Sequence, residues 1–115
     1  MRFEDMDVWK RSSRLSVSIY RYFASLKDYG FKDQITRSSL SIPSNIAEGM
    51  ERITAKEKRN FINYSKGSCA ELRTQIYIGI KIGYIPVDKG RAWIGETIEI
   101  SSMLNGLIKY LDNKQ

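Results

Sequence analysis

At 115 residues the chain is long enough for one domain, which on folding buries somewhat under ~70% of the surface its unfolded form exposes, and too short for two. It has no histidine and a single cysteine, which excludes an internal disulfide, a usual zinc or transition-metal set, a histidine-containing di-iron site and an imidazole base. Nineteen basic residues against thirteen acidic ones leave a net charge of +6, an excess that acts on a partner only where it gathers on one face.

The start, Met1 to Lys10, has neither the basic opening nor the apolar run of a signal peptide. No stretch approaches the ~18 apolar residues of a membrane span; the best, Ile76 to Ile85, is interrupted by Lys81 and two glycines. A soluble, cytoplasmic protein is expected, with Cys69 an inert core thiol in a reducing compartment.

Helical periodicity predicts a first helix from Asp7, as N-cap, to about Leu26, with Val8, Leu15, Ile19, Tyr22 and Leu26 on one stripe. Opposite lie Lys10, Arg14 and Arg21, with Arg11 nearby, and no acid intervenes between Asp7 and Asp28. Such a strip is either a solvated face or a phosphate-facing one. Lys27 to Lys32 reads as a turn around Asp28 and Gly30.

The second helix is expected from about Asp33 to Gly49, and its stretch from Gln34 to Arg52 organises the chain. Ile35, Ile42, Ile46 and Ile53 share a stripe with Ser39 and Gly49, small residues that admit a close neighbouring helix. Arg37, Ser41, Asn45, Glu48 and Arg52 form a second stripe, a polar seam whose charges need partners if it is buried. Pro43 predicts a kink, with Ser39 and Ser41 available to the backbone groups it frees.

Thr54 and Glu57 form a capping box that opens a third helix, ending near Gly83 with Pro86 beyond. Phe61, Ser65, Ser68, Leu72, Ile76, Gly79 and Gly83 make its inner stripe. The far side carries Lys56, Arg59, Lys66, Arg73 and Lys81, either a basic ridge or a soluble face. A fourth helix is expected from about Asp88 to Leu111, its apolar face formed by Ile94, Thr97, Ile98, Ser101, Leu104, Ile108 and Leu111. Trp93, Ile100, Met103, Leu107 and Tyr110 fall off that stripe. A helix apolar on more than one side needs a second surface, here another copy of the chain.

Four helices joined by short turns predict an all-α fold, an up-down-up-down antiparallel four-helix bundle occupying residues 1–115 as one domain. Chemistry is scarce. Glycine-rich phosphate loops are absent, and Glu48 and Glu71 beside Arg37, Arg52 and Arg73 read as structural ion pairs rather than acid catalysts. No enzymatic activity, cofactor or metal is expected.

Asp7-Val-Trp-Lys10, the segment Gln34 to Arg52 with Ser-Ile-Pro-Ser-Asn-Ile-Ala-Glu-Gly at its heart, Lys66-Gly-Ser-Cys-Ala-Glu-Leu72 and the Gly83-Tyr-Ile turn resemble the four-helix-bundle proteins encoded in intervening sequences of large-subunit ribosomal RNA genes. The match covers nearly the whole chain, with Cys69 where a leucine is usual and Asn63-Tyr64-Ser65 replacing a more apolar run. That family is similar to the accessory variability determinant of diversity-generating retroelements, a five-membered barrel that binds nucleic acid and a reverse transcriptase. The resemblance implies a ring-like homopentamer, with Gln34, Arg37, Ser41, Asn45, Glu48, Gly49, Arg52, Gly67, Ser68, Glu71 and Leu72 at the family's motif positions. It carries no established activity.

Two functions remain open: a basic assembly that binds RNA or DNA, and a structural or protein-interaction scaffold whose basic face docks an acidic protein or keeps the assembly soluble. No membrane partner is expected.

Overall fold

The computed structural model describes residues 2–114. A short 3-10 turn, Phe3–Asp5, precedes four helices: α1 Asp7–Tyr22, α2 Tyr29–Met50, α3 Ala55–Lys81 and α4 Val87–Asp112. No strand occurs among the described residues.

The helix ends differ from expectation where local hydrogen bonding decides them. Met6 takes the cap position of α1 without a side-chain bond, which leaves Asp7 inside the first turn, where its carboxylate faces the positive end of the helix dipole. α1 stops at Tyr22 rather than Leu26, because the Leu26 amide turns back to the Phe23 carbonyl at 3.0 Å. Asp28 then caps α2 by accepting the Phe31 amide at 3.1 Å, so α2 begins four residues before the expected Asp33 and Gly30 lies in its first turn.

α2 runs on through Pro43, whose side chain is itself buried. The Ser39 and Ser41 hydroxyls donate to the Thr36 and Ser38 carbonyls at 2.8 and 3.1 Å. Those bonds leave untouched the Ser39 carbonyl, the group a proline at position 43 deprives of its donor.

Thr54 caps α3 through the Glu57 amide at 3.1 Å, and the Glu57 carboxylate meets the Thr54 hydroxyl rather than completing the box at the Thr54 amide. α3 ends in a Schellman motif: the Tyr84 amide bonds the Gly79 carbonyl at 2.8 Å and the Gly83 amide the Ile80 carbonyl at 3.1 Å. Gly83 supplies the required positive φ of 84°.

α1 packs on α2, α2 on α3, α3 on α4, and α4 returns to α1 more sparsely, whereas α1 and α3, like α2 and α4, stand diagonally with their backbones apart. Ile19, Ile35, Ile42, Ile46, Ile62, Leu72, Ile76, Ile100 and Leu104 fill the centre with no exposure. The small residues of α2 do bring α3 close: a Cβ at Gly49 would lie 2.8 Å from Phe61 Cβ and 3.2 Å from the Lys58 carbonyl. Ser65 donates to the Ile42 carbonyl at 2.8 Å, and Ser41 bonds Ser68 at 2.8 Å.

α4 is turned relative to the expected face. Gly90, Trp93, Thr97, Ile100, Leu104 and Leu111 are its buried residues, whereas Ile98 is 51% exposed. Apolar residues surround so much of this helix that its own pattern does not fix its facing; fit against α3 and α1 does.

Candidate nucleic-acid interface

Each cation singled out in the sequence has a defined position. Lys10, Arg14 and Arg21 stand exposed along α1, and among the described residues none forms an ion pair. Their spacing of four and seven residues keeps them on the side of α1 opposite Val8, Leu15 and Ile19.

Arg11 does not belong to that strip. Its Nε and Nη2 donate to Glu96 Oε2 and Oε1 at 3.0 and 2.6 Å, a half-buried bidentate pair that clasps α1 to α4. The hydrogen bond from Arg11 holds the Glu96 carboxyl below its ordinary range and raises the guanidinium in turn, while Arg14 adds to the field on Glu96.

Along α3 the expected ridge is interrupted. Lys56 and Lys81 are exposed and Lys66 half-buried. Arg59 pairs with Asp112 of α4, its buried Nε within ion-pair distance without a hydrogen bond. Arg73 Nε donates to Thr97 Oγ1 at 2.9 Å and its Nη2 to the Thr97 carbonyl at 3.4 Å, so it serves the α3–α4 joint. Thr97 on an apolar stripe was the available signal, since a buried hydroxyl calls for a partner. Because α1 and α3 stand diagonally across the bundle, the two basic strips occupy opposite corners and form no single face.

The polar seam is corrected as well. Gln34, Arg37, Glu48 and Glu71 are exposed. Glu48 meets only Arg52, at 3.4 Å with side chains 56% and 40% exposed, and Arg52 also covers the Phe61 ring at 4.6 Å from its centroid. The crest of α2 faces away from the core because Ile35, Ile42 and Ile46 claim the inner side. Of the other motif positions, Leu72 and Gly49 are buried, Ser41 and Ser68 join α2 to α3, Asn45 donates to the Ser41 carbonyl at 2.8 Å, and Gly67 is exposed.

Cys69 is fully buried and donates to the Thr97 carbonyl at 3.1 Å, and burial pushes its thiol pKa up, against the opposing pull of Arg73. At the junction of the α1–α2 and α3–α4 turns Tyr84 donates to Asp28 at 2.6 Å, which lowers the Asp28 carboxyl and raises the phenol. A hollow of about 700 Å³ forms a mainly apolar groove at the bundle end beside Met6, Met50, Ile53 and Tyr110. No helix is long and apolar enough to cross a membrane among the described residues.

No curated protein matches the chain. A crystal structure of a protein of unknown function from the S23 ribosomal protein family of Bacteroides thetaiotaomicron VPI-5482 is similar in fold, with a TM-score of 0.83 and 24% identity over 89% of this chain and 98% of that one. Four helices closed around an isoleucine core, with the Ser-Ile-Pro-Ser-Asn-Ile-Ala-Glu-Gly segment at the α2–α3 joint, agree with the match of residues 4–106 to the 23S rRNA-intervening sequence proteins, and the chain belongs to that family.

Proposed function

We propose that this protein is a non-enzymatic, up-down-up-down bundle that assembles into a ring-like homopentamer and binds RNA or DNA through basic surface strips. The observation that carries the binding is the α1 strip, where Lys10, Arg14 and Arg21 are exposed and unpaired among the described residues. A net charge of +6 per copy becomes about +30 over five copies, and polyanions respond to such a field through counterion release. With no base-reading motif beside these cations, contacts fall on phosphates and sequence matters little. The likeness to the accessory variability determinant supports both ring and ligand.

The test is a salt titration of binding to a ribosomal RNA fragment and to duplex DNA. Affinity falls steeply with salt, and the triple variant Lys10→Glu, Arg14→Glu, Arg21→Glu binds more weakly with a flatter slope, by about 0.9 per lost contact on duplex DNA, at unchanged oligomer mass. Absence of wild-type binding at ~50 mM salt, where such contacts are strongest, overturns the reading. A second reading, a scaffold for protein interaction, is favoured by the engagement of Arg11, Arg59 and Arg73 inside the bundle, which thins the basic surface.

A further inference from the structure

Two helix crests face away from the core and carry matching features. At about 100° per residue, Asp33, Arg37, Leu40, Ser44 and Glu51 fall on the side of α2 opposite its buried isoleucines, and all five are exposed. On α4, Arg91, Gly95, Ile98, Ser102 and Lys109 fall opposite Trp93, Thr97 and Leu104, with Glu99 on the flank, and these too are exposed. Midway along each crest an apolar side chain stands among small neighbours, Leu40 48% exposed and Ile98 51% exposed, with Tyr29 and Val87 on the same sides at the helix starts. Gly95 has nothing within 4 Å of where a Cβ would stand, a mid-helix glycine that gains nothing from its own bundle and admits a close neighbour.

α3 serves as a ruler for their heights. Ser41 bonds Ser68 on α3, and Thr97 bonds Cys69 and Arg73 on α3. Leu40 and Ile98 therefore stand within about one helical turn, roughly 5 Å, of the same level. Measured from that level in residues, Arg91 on α4 stands beside Asp33 on α2, and Lys109 beside Glu51. Glu99 lies roughly 6 Å along the axis from Arg37, within reach of an arginine side chain. Along the outer side of α4 the charges run Asp88 negative, Arg91 positive, Glu99 negative and Lys109 positive; along α2, Asp33 negative, Arg37 positive, Glu48 and Glu51 negative.

We infer that the α4 crest of one copy docks on the α2 crest of the next, Ile98 beside Leu40, with the two charge series in register. This rests on the assembly reading and assigns its interface. The patches lie on different helices, so the contact is heterologous, which forms a closed ring where the rotation between copies closes and an open filament where it does not. Copies meet without sliding along the bundle axis, as a closed ring requires. The α1 and α3 corners stay uncovered, so the α1 cations remain available to a ligand.

Mild oxidation of a variant carrying both Leu40→Cys and Ile98→Cys tests the docking. Within one chain these positions lie on diagonal helices whose backbones stand apart, so a disulfide between them joins copies, and a non-reducing gel shows a ladder of multiples that the wild type, with only buried Cys69, lacks. Arg37→Glu lowers the mass found by sedimentation equilibrium with helical content unchanged, and adding Glu99→Arg restores it. A wild type that sediments as a monomer overturns the assembly reading and this interface together. A wild-type oligomer that gives no ladder, or whose mass ignores Arg37→Glu, leaves the assembly standing and overturns this interface alone.

Discussion

Individual residues divide into those whose partner lies along the helix and those whose partner lies across it. Glu48 is of the first kind, an exposed pair with Arg52 one turn on. In the Leu40→Asp background, where docking is removed, Glu48→Ala costs about 0.5 kcal/mol or less in urea unfolding, whereas a buried seam predicts ~3 kcal/mol or more. Arg11 and Glu96 are of the second kind. Because the folded Glu96 carboxyl lies below its ordinary value, its contribution is present above the unfolded carboxylate pKa and is lost as pH falls through the folded one. Stability declines below about pH 5; Glu96→Gln flattens that acid limb and lowers the melting temperature at neutral pH by a few degrees, for about 1 kcal/mol. Cys69, buried and with its thiol pKa raised, reacts with a thiol reagent only at the rate at which the bundle opens.

Among the elements, α2 and α3 are held by closeness rather than by charge. Gly49→Ala sets its new methyl against Phe61 Cβ and the Lys58 carbonyl, neither of which is the free end of a flexible chain. It lowers stability by about 1–3 kcal/mol even though alanine is the better helix former by about 1 kcal/mol. A calorimetric melt of Gly49→Ala beside Gly67→Ala, whose methyl meets nothing within 4 Å, separates the two effects, the second variant being unchanged or more stable. α4 shows the opposite case. Its residues are apolar on several sides, so periodicity alone pointed Ile94 and Ile98 inward, yet Trp93 and Ile100 took the core.

At the scale of the molecule, charge distribution outweighs charge total. The cations of α1 and α3 stand on opposite corners, so a ligand on one copy meets the α1 strip or the remaining lysines of α3, not both. In an assembly whose α2 and α4 corners are covered by neighbours, those strips repeat around two surfaces of the ring, and the proposed binding becomes a property of the oligomer. The proposed assembly predicts that sedimentation equilibrium at micromolar concentration gives a mass several times 13.3 kDa. The same proposal predicts that variants which dissociate the assembly, Leu40→Asp among them, lose nucleic-acid affinity even with Lys10, Arg14 and Arg21 intact, measured in the same salt titration.

The sequence by itself determined the four helices, the capping of α3 at Thr54, its stop at Gly83 and the inward Ile35, Ile42 and Ile46 of α2, because each depends on bonds or periods within a few residues of chain; Ile53, expected on the same stripe, lies beyond the helix and is 94% exposed. Family membership was legible for the same reason, in a contiguous run from Gln34 to Arg52. Which arginines are free was decided by tertiary structure alone. Arg11, Arg59 and Arg73 look like Arg14 in sequence, and only the approach of α4 brings Glu96, Asp112 and Thr97 to them. Likewise the seam of Arg37, Glu48 and Glu71 has helical spacing whether it faces core or solvent, and its outward facing follows from where α3 and α1 come to rest against α2.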